Sequence, residues 1–279
     1  MEGGSRLIRR SSRTLKVVLS LGYAFLYLPL LVIVFFSFNE AKLVTAWKGF
    51  SFKWYQELFA NRILLRAALT SFRIAALSAT ISMILGTLAA ITLVRFPRFR
   101  GKTLFVGLVA APLVMPDIIT GLSLLLLFVS FQQLFGWPTS RGSGAVIIAH
   151  TTLSVAYVTA VVQSRLAEFD RSLEEAALDL GASPFQVFFT ITLPLIAPAV
   201  VTGWLFAFAL SLDDVVIASF VAGPGTTTLP MVIFSSLRLG LSPEINALTT
   251  LLLLFLSLGL VVITAVMWKT QRTSSQDKV

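Results

Sequence analysis

The sequence contains no cysteine and a single histidine, His150. Without thiols there is no disulfide frame and no thiolate metal site, and one histidine cannot build a catalytic metal cluster. Charge is also scarce. Only 13% of the 279 residues are Asp, Glu, Lys or Arg, against about 25% in ordinary soluble domains. A phosphate-cradling nucleotide loop is missing as well. Gly101-Lys102-Thr103 imitates the end of one, but the position five before Gly101 is Phe96, where a second glycine is needed. We find no soluble domain, internal repeat or low-complexity segment.

Apolar surface stands in place of charge. Hydrophobic residues make up 56% of the chain and the mean hydropathy is +0.88. A helix needs roughly 20 apolar residues to cross ~30 Å of hydrocarbon, and six runs qualify: Val17–Phe38, Ala67–Val94, Thr103–Phe131, Ala145–Gln163, Leu195–Val221 and Ile245–Trp268. The first is too long for a signal segment and no small-x-small cleavage site follows it. The expected fold is therefore all-α and integral to the lipid bilayer, with about six transmembrane helices. Residues 1–16 form an N-terminal segment, 17–268 one transmembrane domain and 269–279 a tail. Ser51–Phe59 reads as a short interfacial helix.

The net charge of +9 does not require nucleic acid. Lys and Arg gather at Arg6–Lys16, Arg95–Lys102, the loop after the fourth span and the tail. That side collects twice as many as the other, which places both termini in the cytoplasm.

The long inner loop, residues 165–194, has its own grammar. Ser172 with Glu175 predicts a capping box and a helix start. Leu173, Ala176, Ala177 and Leu180 give that helix an apolar face. Gly181 predicts a left-handed stop, Ser183 caps a second helix with Pro184 at its first position, and Pro194 ends it before the fifth span.

Glu175-Ala176-Ala177, Gly181 four residues later and the closing Ile191-x-Leu193-Pro194 resemble the EAA loop of binding-protein-dependent ABC importer permeases. Further segments extend the likeness over nearly the whole chain and toward the polyamine type, most of all the second permease of putrescine importers. They are Tyr27-x-Pro29, Ser37–Asn39, Trp47-x-Gly49 with Trp54-Tyr55, Ala111–Gly121, Ser211–Phe220, Gly223-Pro-Gly225 and Ser242–Ala247. The resemblance implies a type I permease fold in the bacterial inner membrane, and a loop that docks on a separate ATPase through Glu175, Ala176, Ala177 and Gly181. It implies four partners: a second permease, two ATPase subunits and a periplasmic binding protein. ATP and Mg would be bound in the ATPase, with no cofactor and no catalytic residue in this chain. It also marks Trp47, Asp117, Ser211, Asp213 and Asp214 as important for transport.

Charge inside a span points to function independently. Asp117 lies about 21 Å and Asp213 about 27 Å from the inner ends of their spans, at ~1.5 Å per residue. With Asp214 they can stabilise a dication; Ser211 adds an acceptor, and Trp47 offers a cation–π face. The alternative is structural. Arg73 or His150 would pair with these acids and hold helices together, Trp47 would anchor at the interface, and Glu175 would only cap its helix. Pro112 and Pro116 are expected to kink or break the third span. The sequence leaves open the same machinery for spermidine, ferric iron or thiamine, and a proton-driven secondary transporter. No nucleophile–base pattern suggests a membrane enzyme.

Overall fold

The computed structural model of the chain describes residues 3–42, 46–96, 98–139, 141–239 and 243–276. Ser242 of the Ser242–Ala247 motif and the last three residues of the expected tail lie outside the described residues. Two compact units emerge: residues 1–62 with 236–279, and residues 63–235. Among the described residues everything regular is helical, apart from one isolated bridge between Asn39 and Phe50.

In the first unit, α11 (Pro243–Gln276) packs against α1 (Gly3–Phe36) and α2 (Lys53–Ala60). The connection from α1 to α2 closes around buried Asn39. Its Oδ1 accepts from the N–H groups of Ala41 and Lys48, its Nδ2 donates to the Ala46 carbonyl, and its own carbonyl accepts from the Trp54 indole at 2.6 Å. One short amide thus satisfies a loop that has no ladder to supply its partners.

In the second unit, α6 (Ser143–Ala167) is the central helix. One end packs with α3 (Arg62–Arg95), α5 (Asp117–Phe135) and α10 (Val216–Val221) through Ile74, Leu124, Phe128, Val146, Ile217 and Val221. The other end packs with α3 and α9 (Leu193–Asp213) through Ala79, Ala90, Val158, Val162, Ile196 and Ala207. Close approach there needs small residues. A Cβ at Gly86 would lie 2.7 Å from Val158 Cβ, and one at Gly203 would lie 3.2 Å from Val158 Cγ1. In lipid, such small-residue contacts replace the hydrophobic drive that water would supply.

Among the described residues, five helical stretches are long and apolar enough to cross a membrane: Thr14–Phe36, Arg62–Arg95, Asp117–Phe135, Ser143–Ala167 and Pro184–Asp213. The sixth expected span falls within α11, whose apolar part is Pro243–Gly259. The expected third span is in fact two helices, α4 (Lys102–Val114) and α5. Met115 between them is extended (φ −77°, ψ 133°) because Pro116 excludes the helical region for the residue before it and cannot donate a helical bond. Pro112 stays inside α4.

The expected fifth span also differs. It breaks after Asp213, with Asp214 extended (ψ 123°) and α10 starting afresh. No proline is involved. The Asp214 carboxylate instead accepts from the N–H groups of Ile217 at 3.1 Å and Ala218 at 2.7 Å, offering the backbone a cap in place of the next turn. At the other end, Pro194 does not terminate a helix. α8 (Pro184–Val187) continues through a wide turn, Phe188–Thr192, into α9. Leu193 N–H reaches back five residues to the Phe188 carbonyl, and this widening accommodates a proline that has no N–H for Thr190.

Candidate functional site

The loop between α6 and α9 is a helical hairpin. α7 (Ser172–Asp179) ends at Gly181, whose φ of +86° is the left-handed region that favours glycine. Gly181 N–H bonds the Leu178 carbonyl at 2.9 Å and Ala182 N–H bonds the Ala177 carbonyl at 3.1 Å, the paired bonds of a Schellman stop. Ser183 then opens α8 with a reciprocal capping box to Gln186 and Pro184 at the first position, as the sequence predicts.

The start of α7 departs from expectation. Ser172 makes no side-chain cap, and Glu175 does not reach back to it. Instead Asp170 accepts from Ser172 N–H at 3.0 Å. Asp170, two residues ahead, already satisfies the N–H that opens the helix. Ser172, through its backbone N–H and then its hydroxyl, holds the Asp170 carboxyl below the ordinary carboxylate range.

Neighbouring acids take different roles. Glu174, half-buried, receives the Arg95 guanidinium from the end of α3 and the Thr192 hydroxyl. Arg171 donates to the Val94 carbonyl at 2.8 Å, and Arg95 also lies over the Phe169 ring. Glu175 and Ala176 are exposed and Ala177 is half-buried. The apolar face of α7 is largely turned outward: Leu173 is exposed, and Leu180 and, on α8, Phe185 are 89% and 74% exposed. The hairpin is thus bolted to the bundle on one side and presents unsatisfied apolar surface on the other.

The second cluster lies at the helix breaks. Asp117 is the first residue of α5 and Asp213 the last of α9. Both side chains are exposed, and neither has an ion pair or hydrogen-bond partner among the described residues. Asp214 and Ser211 turn inward. His150 on α6 puts Nε2 3.0 Å from Asp214 Oδ2 and Nδ1 2.6 Å from Ser211 Oγ. Ser78 on α3 lies 3.1 Å from Ser211 Oγ. A carboxylate at Asp214 accepts from Nε2–H, and in that neutral tautomer Nδ1 accepts from the Ser211 hydroxyl. Ser78 has one hydroxyl proton, within reach of the Ile74 carbonyl at 2.8 Å and of Ser211 Oγ at 3.1 Å. One hydrogen-bonding chain of side chains therefore links α3, α9, α6 and the start of α10.

The remaining sequence candidates stand apart from this chain. Arg73 makes no ion pair among the described residues, neither with Asp117 nor with an acid near the end of α9. Trp47 belongs to the other unit, where it stacks on Phe35 at 4.4 Å between ring centroids. Ser78, Glu174, Arg171 and Thr192 were not singled out from sequence, and Arg95 was read there only as part of a basic turn. Ser71, Ser78 and Ser82, spaced by seven and four, were a readable signal, since that spacing places three hydroxyls on one face of an apolar helix.

A helical bundle with this hairpin matches known proteins. Residues 82–273 match the family described as "Binding-protein-dependent transport system inner membrane component". The chain belongs to this family. As such a component it is a multi-pass inner-membrane protein with the type I permease fold of ABC importers. The putrescine transport system permease protein PotI of Escherichia coli K12 is 59% identical over 237 residues, covering 85% of this chain and 84% of that protein. The spermidine/putrescine transport system permease protein PotC of Haemophilus influenzae Rd is 45% identical over 241 residues, covering 86% and 91%. Among solved structures, one chain of a bacterial ABC transporter involved in import of the acidic polysaccharide alginate superposes with a TM-score of 0.69 at 16% identity, covering 94% of this chain and 97% of that one. That last likeness concerns the fold alone. Membership of a binding-protein-dependent family also implies an ATPase and a substrate-binding protein as partners.

Proposed function

We propose that this permease carries a polyamine, putrescine before others, through the inner membrane, driven by ATP hydrolysis in separate subunits. The observation that carries the reading is the 59% identity to a putrescine permease across 85% of the chain. The complete machine contains a second permease, two ATPase subunits that bind ATP and Mg, and a periplasmic binding protein. This chain has no cofactor and performs no covalent chemistry, and both of its termini lie in the cytoplasm.

The hairpin around Glu175, Ala176, Ala177 and Gly181 docks on an ATPase. Exposed Leu180 and Phe185 on a rigidly stopped turn suit that role. From the hairpin, Pro184–Asp213 runs as one apolar helical stretch of 30 residues. At ~1.5 Å per residue this rod is about 45 Å long, so movement of the hairpin is delivered to the break at Asp213. Interrupted helices commonly surround transport sites. Asp213 adds a carboxylate to the negative end of α9, and Asp117 sits at the interruption between α4 and α5. Both remain available for charge-assisted bonds to an ammonium group. Asp214, Ser211 and His150 hold the break in shape.

Labelled putrescine uptake tests this in cells lacking their own importer and supplied with the other subunits. Asp117→Asn and Asp213→Asn each lower uptake roughly tenfold or more, since a charged hydrogen bond contributes about 1.5–3 kcal/mol. Gly181→Asp abolishes uptake at unchanged membrane level. Uptake of spermidine but not putrescine would transfer the assignment to the substrate that also appears in the name of the Haemophilus relative. ATPase-independent uptake would overturn it in favour of a proton-driven carrier.

A further inference from the structure

One group of residues has the wrong sign for a cation path. Arg66 and Arg73 stand seven residues apart on one face of α3, both exposed, and Arg73 has no ion pair among the described residues. Arg73 lines a cavity of about 380 Å³ together with Thr70, Ser143, Ile147, Gly225 and Thr226. No acid lines it. Ser143 is the first residue of the 25-residue α6, whose N-cap, Gly142, provides no side chain for the leading N–H groups. The Thr226 side chain is only 4% exposed and lines this cavity. No hydrogen bond of its hydroxyl to the described residues competes with a ligand there. A guanidinium, a helix N-terminus and free hydroxyls around one cavity form an anion receptor.

Its height in the membrane identifies the anion. Arg95, at the far end of α3, grips the hairpin through Glu174. Arg73 precedes it by 22 residues, or about 33 Å of helix, close to the ~30 Å thickness of a hydrocarbon core. If Arg95 marks one headgroup boundary, Arg73 marks the other. Between them α3 exposes Leu77, Ile81, Ile84 and Leu88, with no charge on the way. Leu69 flanks Arg73 on the other side. A soluble anion has no use for such a stripe, whereas a lipid places its phosphate at the cavity and its acyl chains along the stripe.

We propose that Arg73, Ser143 and Thr226 form a headgroup site for an anionic phospholipid in the leaflet opposite the coupling hairpin. The site is separate from the substrate path, and its test does not rely on transport.

The assembled importer, exchanged into phosphatidylcholine nanodiscs doped with phosphatidylglycerol, is released from them and its retained lipids counted by native mass spectrometry. Wild type retains one phosphatidylglycerol more than Arg73→Gln, and Thr226→Val binds it at least tenfold more weakly. Arg73→Lys keeps the lipid, which separates loss of charge from misfolding. Neither phosphatidylethanolamine nor inorganic phosphate displaces it. Equal retention by wild type and Arg73→Gln overturns the proposal. So does displacement by inorganic phosphate, which would indicate a soluble-anion site. Absence of retained phosphatidylglycerol from the wild-type complex also overturns it, because another subunit would then cover this face.

Discussion

His150 Nε2 lies 3.0 Å from Asp214 Oδ2, with the two side chains 1% and 7% exposed. This contact ties the central helix to the point where α9 stops and α10 begins. It also leaves Asp213, one residue earlier, facing outward.

Removing the imidazole therefore acts on shape before it acts on charge. His150→Ala deprives Asp214 and Ser211 of a shared partner, an effect of roughly 1–3 kcal/mol for a buried polar group left unmatched. Reduced thermal stability of the purified complex and reduced uptake are expected together. His150→Gln restores both in part. Unchanged stability with lost uptake would mean that the histidine meets the substrate rather than the break.

Glu174 and Glu175 are adjacent but not equivalent. Glu174→Gln loosens the hairpin from Arg95 and Thr192, so putrescine transported per ATP hydrolysed falls while the subunit still inserts. Glu175→Gln leaves the anchor intact and alters only the exposed face proposed to dock on the ATPase. Cross-linking between hairpin and ATPase separates the two: Glu174→Gln broadens the set of cross-linked positions, and Glu175→Gln lowers the yield at unchanged positions.

Gly86 and Val158 meet where α3 crosses α6. Gly86→Ala forces a Cβ to within 2.7 Å of Val158 Cβ and destabilises by roughly 1–3 kcal/mol through overpacking. Val158→Gly in the same chain removes both close atoms, Cβ at 2.7 Å and Cγ1 at 2.8 Å, so the double variant loses less stability than the sum of the two single losses. Additive losses in a denaturation series would refute this packing.

Asp170 sets a pH dependence of known sign. Its carboxyl is held below the usual carboxylate range by Ser172, so its contribution is present above the unfolded value of about 3.9 and disappears as pH falls through the lower folded value. Hydrogen exchange in the peptide covering residues 170–182 is therefore unprotected by this contact only in strong acid. Between about pH 8 and 5 the protection of wild type stays constant. Asp170→Asn raises exchange at neutral pH. Protection that declines between pH 8 and 5 would assign control of the hairpin to another group.

Much of this was legible in the linear pattern. Apolar runs near 20 residues gave the membrane class, since a bilayer imposes length and composition regardless of neighbours. Gly181 and Ser183 were readable because a left-handed stop and a capping box depend on a few adjacent residues. Ser172 misled because Asp170 offers a nearer acceptor to the same N–H. Pro194 misled because a wide turn can absorb a missing donor.

By itself, then, the sequence determined that the chain lives in lipid, which stretches are apolar enough to span it, how the hairpin turns and which permease family it resembles. Only the tertiary structure decided which carboxylate does what. Asp213 and Asp214 are identical in chemistry and adjacent in sequence. They differ because His150, 64 residues upstream in another helix, and the N–H groups of α10 converge on one and leave the other exposed. Partners that far apart along the chain meet only through packing, and no local rule can rank them.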